Sequence, residues 1–284
     1  RALQYRLDTN DMADNDWIVH LDEETVMSAQ SVRGIVNFVV DGQHDFGQGL
    51  ITYADQQVVN PWVTLMDAHR VADDMGKMRF QLQYLNQALF SWKGSYMVCR
   101  VKAELEVSYD HGLDGSVAED CYFAMRALMG RHTFGWIEGP MWEKSPFTIW
   151  DYIEQRKRWM QGIWLVVHSP NIPWSCKLLR AMSFYGYMTM ALPKLLSLFL
   201  YFMPQYSISW VSVLQAFMDA NTNYMFIFGT YKMFNVRKVG VKRYVMLMFG
   251  SLFAPTVYLI ADTIAILYGL FSNKYKFYLV NKHV

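Results

Sequence analysis

The chain is short of net charge and of cysteine. Its 284 residues carry a formal net charge of +1, whereas a nucleic-acid surface needs a concentrated excess of lysine and arginine to neutralise phosphates. The three cysteines, Cys99, Cys121 and Cys176, are odd in number and lack the close pairing of a zinc site. We therefore expect no nucleic-acid partner, no disulfide framework and no zinc site, and the composition fits a reducing, cytosol-facing environment.

Charge is also scarce in the last hundred residues. Three apolar stretches, 183–203, 207–231 and 244–271, match or exceed the ~20 residues that a helix needs to cross a bilayer. Lys194, beside Pro193, is the single charge of the first stretch. It should contact a protein partner or mark a kink near a substrate path.

The third stretch leaves the number of spans open. Pro255 and Asp262 interrupt it, so it is either one tilted span or a broken one. Lysine and arginine precede the first stretch and fill the loop at 231–243, which predicts that both regions face the cytosol. Three full spans would place the basic tail on the far side, and a re-entrant third segment would remove that conflict. The alternative is a water-soluble protein with buried core helices.

The first half predicts an α/β domain with a mixed sheet. Residues 16–22, 49–53 and 94–101 are rich in β-branched and aromatic residues and read as strands. Asn60 before Pro61 is a start signal for a helix in the stretch that follows. Strands interspersed with a helix favour a sheet with helices packed on it.

We predict three parts along the chain. Residues 1–146 form the α/β domain, residues 147–182 form amphipathic helices at the membrane interface, and residues 183–284 form the transmembrane region. The opening residues read as the inside of a helix, so we expect an upstream part of the first domain to be absent.

Two acidic clusters are candidates for chemistry. Asp22, Glu23 and Glu24 follow the first predicted strand. Adjacent carboxylates there either bind a cation or move a proton, or they form a common acidic turn, and this stretch alone favours the turn. Glu119 and Asp120 precede an amphipathic helical run, where carboxylates also serve as helix caps. His20, within the strand, is expected to be packed or hydrogen-bonded.

A third motif lies on the predicted helix that follows Ser145 and Pro146. Gln155, Arg158 and Trp159 share one face at i, i+3 and i+4. Such a group either lies along a membrane surface or binds a diphosphate and stacks on a sugar.

The three motifs, at 22–24, 119–120 and 155–159, occur in this order in membrane-embedded family 2 glycosyltransferases, which the chain resembles over nearly its whole length. The tail KYKFYLVNK (274–282) resembles the gating loop of cellulose synthases, with Asn281 in place of a threonine. More narrowly, HLDEET, FGQGLITY and NKYKFYLVNK resemble the Egghead group of β-1,4-mannosyltransferases.

The resemblance implies a GT-A-like catalytic domain and a role for each motif residue. Asp120 is the expected general base, Asp22 and Glu24 the expected ligands of Mn²⁺ or Mg²⁺, although the family motif has aspartate where Glu24 stands. Arg156 or Arg158, with Arg158 favoured, would bind the donor diphosphate together with Asp22. The expected acceptor contacts are Trp159, Gly94, Ser95 and Glu119, with Gln155 beside them in the catalytic group.

The resemblance also implies substrates and a location. The donor would be GDP-mannose and the acceptor the 4-hydroxyl of glucosylceramide, joined by an inverting single displacement. The enzyme would lie in the ER or Golgi membrane with its active site facing the cytosol. The alternatives are a processive polysaccharide synthase that uses a UDP-sugar, and a transporter or channel component that uses Lys194, Asp219 and Asp262.

Overall fold

The computed structural model describes residues 2–9, 11–54, 58–113, 115, 117–203 and 209–272. The predicted gating loop at 274–282 lies outside these residues. The strands are β1 (Trp17–His20), β2 (Phe46–Thr52), β3 (Met97–Arg100) and β4 (Phe134–Trp142). The helices up to the end of the sheet are α1 (Ala2–Asp8), α2 (Ala29–Asp41), α3 (Pro61–Asp73), α4 (Arg79–Gln83), α5 (Val101–Val107) and α6 (Glu119–Met129). Those that follow are α7 (Ile149–His168), α8 (Trp174–Met188), α9 (Leu192–Phe202), α10 (Ser209–Met233), α11 (Val236–Val239), α12 (Val241–Gly250) and α13 (Ala254–Phe271).

The strands form a mixed sheet in the order β1-β3-β2-β4. β3 pairs antiparallel with β1 and β2, while β2 and β4 run parallel. The prediction of a mixed α/β sheet is therefore confirmed. The three predicted strands overlap β1, β2 and β3.

The strand β4 and the helix α2 were not predicted. α2 begins at Ser28, whose side chain accepts the backbone N–H of Ser31 in a capping box. β4 passes close to this helix end: a Cβ on Gly139 would lie 2.5 Å from the Gln30 carbonyl carbon, and Gly139 has a φ of +95°. Glycine is required there both for space and for the positive φ.

The helix predicted to follow Asn60 is confirmed, with one irregularity. The Asn60 side chain accepts the N–H groups of Trp62 and Val63 at the start of α3. Between α3 and α4 the residues Asp74–Met78 form a π-helical turn. Such turns are rare inside helices and are often found at functional sites.

The helix α7 begins later than predicted. Its N-cap is Thr148, whose hydroxyl accepts the Asp151 N–H at 3.0 Å, and not Ser145. The helix lies between α6 and α13 rather than alone on a surface. Gln161 donates to the Gly269 carbonyl of α13 at 2.9 Å, so α7 is anchored to the C-terminal region.

The predicted span at 183–203 is wrong as a single continuous helix. α8 ends at Met188 and α9 starts at Leu192, with Pro193 in the first turn of α9. Proline is accommodated there because the first turn lacks intrahelical acceptors for its N–H groups. The third apolar stretch is likewise broken, since α12 ends at Gly250 and α13 begins four residues later with Pro255 in its first turn.

Among the described residues, one helix is long and apolar enough to cross a bilayer. This helix is α13, and about a third of its apolar window is buried within the protein. α9 is apolar but shorter. α10, at 25 residues, packs along α3, where a Cβ on Gly229 would lie 1.8 Å from the Ala68 carbonyl oxygen.

The sheet and the C-terminal helices share a hydrophobic core. One cluster contains Val98 and Ile137 of the sheet together with Phe226 of α10 and Leu247 of α12. On the other face, Phe46 and Phe134 belong to a cluster with residues of α6. The C-terminal helices are therefore packed on the α/β part, and a cavity lies between them.

Candidate active site

A cavity of about 1240 Å³ collects the predicted site residues. It lies between the sheet, α6, α7 and the C-terminal helices. Every residue singled out from the three motifs and the 94–95 loop lines it: Asp22, Glu24, Gly94, Ser95, Glu119, Asp120, Gln155, Arg156, Arg158 and Trp159.

Three carboxylates converge at one wall of this cavity. Asp22, Glu24 and Glu143 each place an oxygen within 4.8 Å of the others. Asp22 and Glu24 follow β1, and Glu143 directly follows β4. Carboxylate oxygens are preferred ligands of hard divalent cations, so this donor set fits Mg²⁺ or Mn²⁺.

Hydrogen bonds hold the acidic turn in place. The Thr25 hydroxyl donates to Glu143 Oε1 at 2.9 Å and is 2.9 Å from the Ser95 hydroxyl. Ser95 also accepts the Asp22 backbone N–H at 3.2 Å. The Ser95 side chain is buried and supports the acidic turn, while its predicted contact with the acceptor stays a prediction.

Asp120 lies in the first turn of α6 against Gly94. A Cβ on Gly94 would approach Asp120 Oδ2 to 3.8 Å. Burial raises the pKa of Asp120, and the Cys121 N–H, which donates to Oδ1 at 2.7 Å, together with Arg180 and Arg158 partly offsets the rise. A carboxylate with a raised pKa holds a proton more strongly, which suits a general base.

Glu119 occupies the same helical turn. Burial, followed by the charge of Asp120, raises the pKa of Glu119. The prediction of a carboxylate pair at the start of a helix is confirmed, because α6 begins at Glu119. The negative charge of one acid disfavours ionisation of its neighbour. The positive charge of Arg158 acts in the opposite direction and lowers the pKa of both Glu119 and Asp120.

The two arginines of α7 have different surroundings. Arg156 Nη2 donates to Asp67 Oδ1 at 2.7 Å, and its Nε lies 3.9 Å from Asp262 Oδ1. Its side chain is only 5% exposed. Arg158 is half-buried and lines the cavity near Asp120 and Glu119, so its position suits diphosphate binding better than that of Arg156.

Trp159 has cations packed on its ring. The Arg70 guanidinium carbon lies 4.5 Å from the ring centroid and that of Arg156 lies 4.4 Å from it. These contacts fix the indole in the cavity wall. A sugar that stacks on Trp159, as predicted, would therefore contact an indole ring that already packs against these two guanidinium groups. Gln155, on the same face, is buried beside it.

The structure adds charged residues that the sequence reasoning missed. Glu143 completes the acidic cluster, Arg180 lies near Asp120, and Arg70 contacts both Trp159 and the Tyr53 ring. Lys93 pairs with Asp74 of the π-helical turn, and burial lowers the pKa of Lys93. These residues lie far apart in the sequence, so no local spacing signals them.

Two further expectations concern residues outside the motifs. His20 Nε2 lies 2.6 Å from Glu104 Oε1, which accepts the Tyr109 hydroxyl. The His20 ring also packs edge-on against the Tyr109 ring, so the expectation that His20 is packed or hydrogen-bonded is confirmed. Lys194 forms an ion pair with Asp219 of α10, which confirms that it has a protein partner.

The chain matches a known protein family over most of its length. A family model described as glycosyl transferase family group 2 matches residues 17–219, which contain all three motifs. The chain belongs to this family. Two of its motifs lie in the α/β part and the third lies on α7, and the cavity continues between the helices that follow.

Two relatives are similar over the whole chain. The chain is 50% identical over 286 residues to the β-1,4-mannosyltransferase egh of Drosophila melanogaster. It is 47% identical over 287 residues to the β-1,4-mannosyltransferase bre-3 of Caenorhabditis elegans. The chain covers 63% of the length of each of these relatives.

Proposed function

We propose that this family 2 glycosyltransferase is a β-1,4-mannosyltransferase that moves mannose from GDP-mannose to the 4-hydroxyl of glucosylceramide. Two relatives named β-1,4-mannosyltransferases, 50% and 47% identical, support the sugar and the linkage. The observation that supports an enzyme is one cavity lined by a carboxylate cluster, a guanidinium group and the half-buried carboxylate of Asp120.

Asp120 acts as the general base. Its carboxylate lies at the start of α6 beside Gly94, where an acceptor hydroxyl has room because the glycine has no side chain. The raised pKa of Asp120 strengthens it as a proton acceptor. Glu119 orients the acceptor or caps the helix.

Asp22, Glu24 and Glu143 would hold the divalent cation, Mn²⁺ or Mg²⁺. When bound, the cation supplies positive charge that stabilises the leaving diphosphate. Arg158 provides a second positive partner with directional N–H donors. Arg156, which already pairs with Asp67, positions α7 so that Gln155, Arg158 and Trp159 face the cavity.

The reaction is a single displacement. The acceptor oxygen forms a bond to the anomeric carbon as its proton passes to Asp120. The bond between the sugar and the phosphate breaks, and its electron pair leaves with GDP. One displacement inverts the anomeric carbon, so an α-linked donor gives a β-glycoside.

The acceptor is a membrane lipid. The apolar helices α9 and α13 support a membrane location, and the basic segment at 231–243 supports a cytosolic position for the active site. We place the enzyme in the ER or Golgi membrane, as the resemblance to the Egghead group implies.

The deciding experiment measures nucleotide release by the full-length protein purified in detergent. GDP-mannose and UDP-sugars are compared with Mn²⁺ in the presence and absence of glucosylceramide, beside Asp120→Asn. We expect acceptor-dependent GDP release that the substitution abolishes. UDP release with a polymeric product would favour a polysaccharide synthase, and no release from any donor would refute an enzyme and favour a transporter.

A further inference from the structure

A second cluster of metal-ligand side chains lies outside the cavity. His20, Cys99 and Glu104 each place one ligand atom within 4.8 Å of the others, and none of the three lines the cavity. This cluster combines an imidazole, a thiol and a carboxylate, whereas the cluster in the cavity wall contains carboxylates alone. The two clusters therefore suit different metal ions.

Two neighbouring strands and the helix after them bring the three side chains together. β1 pairs with β3 so that His20 lies opposite Met97, two residues before Cys99. Residues two apart on a strand point to the same face of the sheet, so His20 and Cys99 occupy diagonal positions on one face. α5 begins directly after β3 and carries Glu104 in its first turn.

Buried polar atoms in this cluster lack hydrogen bonds. The Glu104 side chain is fully buried, and its Oε1 accepts the Tyr109 hydroxyl at 2.8 Å. Its Oε2 has no hydrogen-bond partner among the described residues. His20 Nε2 is also buried and forms no hydrogen bond with Oε1, although the two atoms are 2.6 Å apart. Burial of such atoms without partners costs free energy, and a bound cation would remove that cost.

We propose that His20, Cys99 and Glu104 bind a zinc ion. Thiolate and imidazole ligands favour Zn²⁺ over Mg²⁺ and Mn²⁺, and cysteine, histidine and glutamate are all ligands of tetrahedral zinc. Cys99 releases its proton to solvent when it binds the metal. One thiolate and one carboxylate then balance the charge of Zn²⁺, so the buried site is electrically neutral. A water molecule fills the fourth position beside His20, whose side chain is 17% exposed.

The zinc ion has a structural role. It joins β1 to β3 and α5, and His20 precedes Asp22 by two residues, so the ion also fixes the end of β1 from which the acidic turn starts. The spacing of the cysteines gave no sign of such a site, because that signal depends on closely paired cysteines. Here a single cysteine combines with ligands from two other elements.

Cobalt spectroscopy tests the site without any sugar substrate. Full-length protein purified in detergent is assayed for zinc by mass spectrometry, stripped with a chelator and titrated with Co²⁺ in excess Mg²⁺, which the carboxylate cluster favours. A thiolate bound to Co²⁺ gives a charge-transfer band in the near ultraviolet, which carboxylates cannot produce. We expect the wild type to show this band and Zn²⁺ to abolish it. Wild-type protein that contains no zinc and gives no band would overturn the proposal and leave a metal-free packing of His20 against Glu104 and Tyr109.

Two cysteine variants and one histidine variant locate the ligands. Cys99→Ser should abolish the band, whereas Cys176→Ser, at a cysteine outside the cluster, should leave it unchanged. His20→Asn replaces a partly exposed side chain and tests the site even where Cys99→Ser does not fold. It should lower Zn²⁺ affinity by about tenfold or more, measured by competition with a fluorescent chelator. A band that survives Cys99→Ser, or an unchanged affinity in His20→Asn, would overturn the site, and neither readout depends on the proposed function.

Discussion

Arg156 on α7 and Asp67 on α3 form a buried ion pair at 2.7 Å that joins α7 to the α/β part. Although burial opposes it, Arg70 and Arg156 hold the pKa of Asp67 below its ordinary value. The side chain of Asp67 is fully buried, so water does not screen this ion pair. This arrangement separates the functions of the two arginines of α7.

Exchanging each arginine for methionine should therefore affect a different property, stability for Arg156 and catalysis for Arg158. Arg156→Met leaves Asp67 buried without this partner, and we expect it to lower the free energy of unfolding by about 3–5 kcal/mol. Arg158→Met should change stability little and lower kcat by a factor of about 100 or more. Thermal unfolding in detergent and GDP release distinguish the two, and equal loss of stability in both variants would contradict the assignment.

Asp120→Asn should lower the rate of transfer sharply and also stabilise the fold. Burial raises the pKa of Asp120, so ionisation of this group costs folding free energy as the pH rises from about 4, the ordinary value, through the raised pKa. The amide carries no such cost, so the variant should unfold at a higher temperature than the wild type at pH 8, with the difference shrinking towards pH 4. Wild-type activity should fall as the pH drops through the raised pKa, and the variant should lose roughly a thousandfold in kcat.

Glu143→Gln should weaken binding of the divalent cation. Glu143 belongs to the cluster with Asp22 and Glu24 and is held by Thr25, and loss of one carboxylate charge should lower Mn²⁺ affinity by on the order of tenfold or more. The matched control is Glu23→Gln, which removes a carboxylate that lines the cavity but does not belong to the cluster. Affinity is read by Mn²⁺ electron paramagnetic resonance without donor or acceptor, and equal effects in both variants would argue against Glu143 as a ligand.

Gly229→Ala should loosen the contact between α10 and α3. Its Cβ would meet the Ala68 carbonyl oxygen at 1.8 Å, which forces the two backbones apart and should cost about 1–3 kcal/mol of stability. Gly186→Ala on α8 is the control, because no heavy atom lies within 4 Å of its Cβ position, and alanine there should be neutral or stabilising. Thermal unfolding of both variants checks the prediction, which fails if Gly229→Ala unfolds at the wild-type temperature.

The motifs could be predicted from the sequence because each is local. The acids at 22–24, the pair at 119–120 and the face formed by Gln155, Arg158 and Trp159 depend on the spacing within one strand end or one helix. The structure brings all of them into the same cavity. For Lys194 the sequence left two alternatives, a protein partner or a kink near a substrate path, and the structure shows the partner Asp219.

The elements that were not predicted depend on contacts between residues far apart in the sequence. β4 contains Gly135, Gly139 and Pro140, which read as breaks in a strand, and its place is set by pairing with β2. α2 contains several valines, which have a weak helix propensity, and its capping box and packing override that preference. Tertiary packing also brings Glu143, Arg70 and Lys93 to the cavity. The sequence next to each of these residues does not predict that position.

The π-helical turn at Asp74–Met78 has a consequence for the evolution of chain length. A π turn accommodates one extra residue within a helix while the segments on either side keep their faces, so Val71 of α3 and Leu82 of α4 both remain buried. Gly76, at the exposed middle of the turn, has no heavy atom within 4 Å of its Cβ position. A homologous chain one residue shorter at this point can therefore keep the same core with an uninterrupted α-helix, and an alignment gap there marks a change of helical geometry rather than a change of fold.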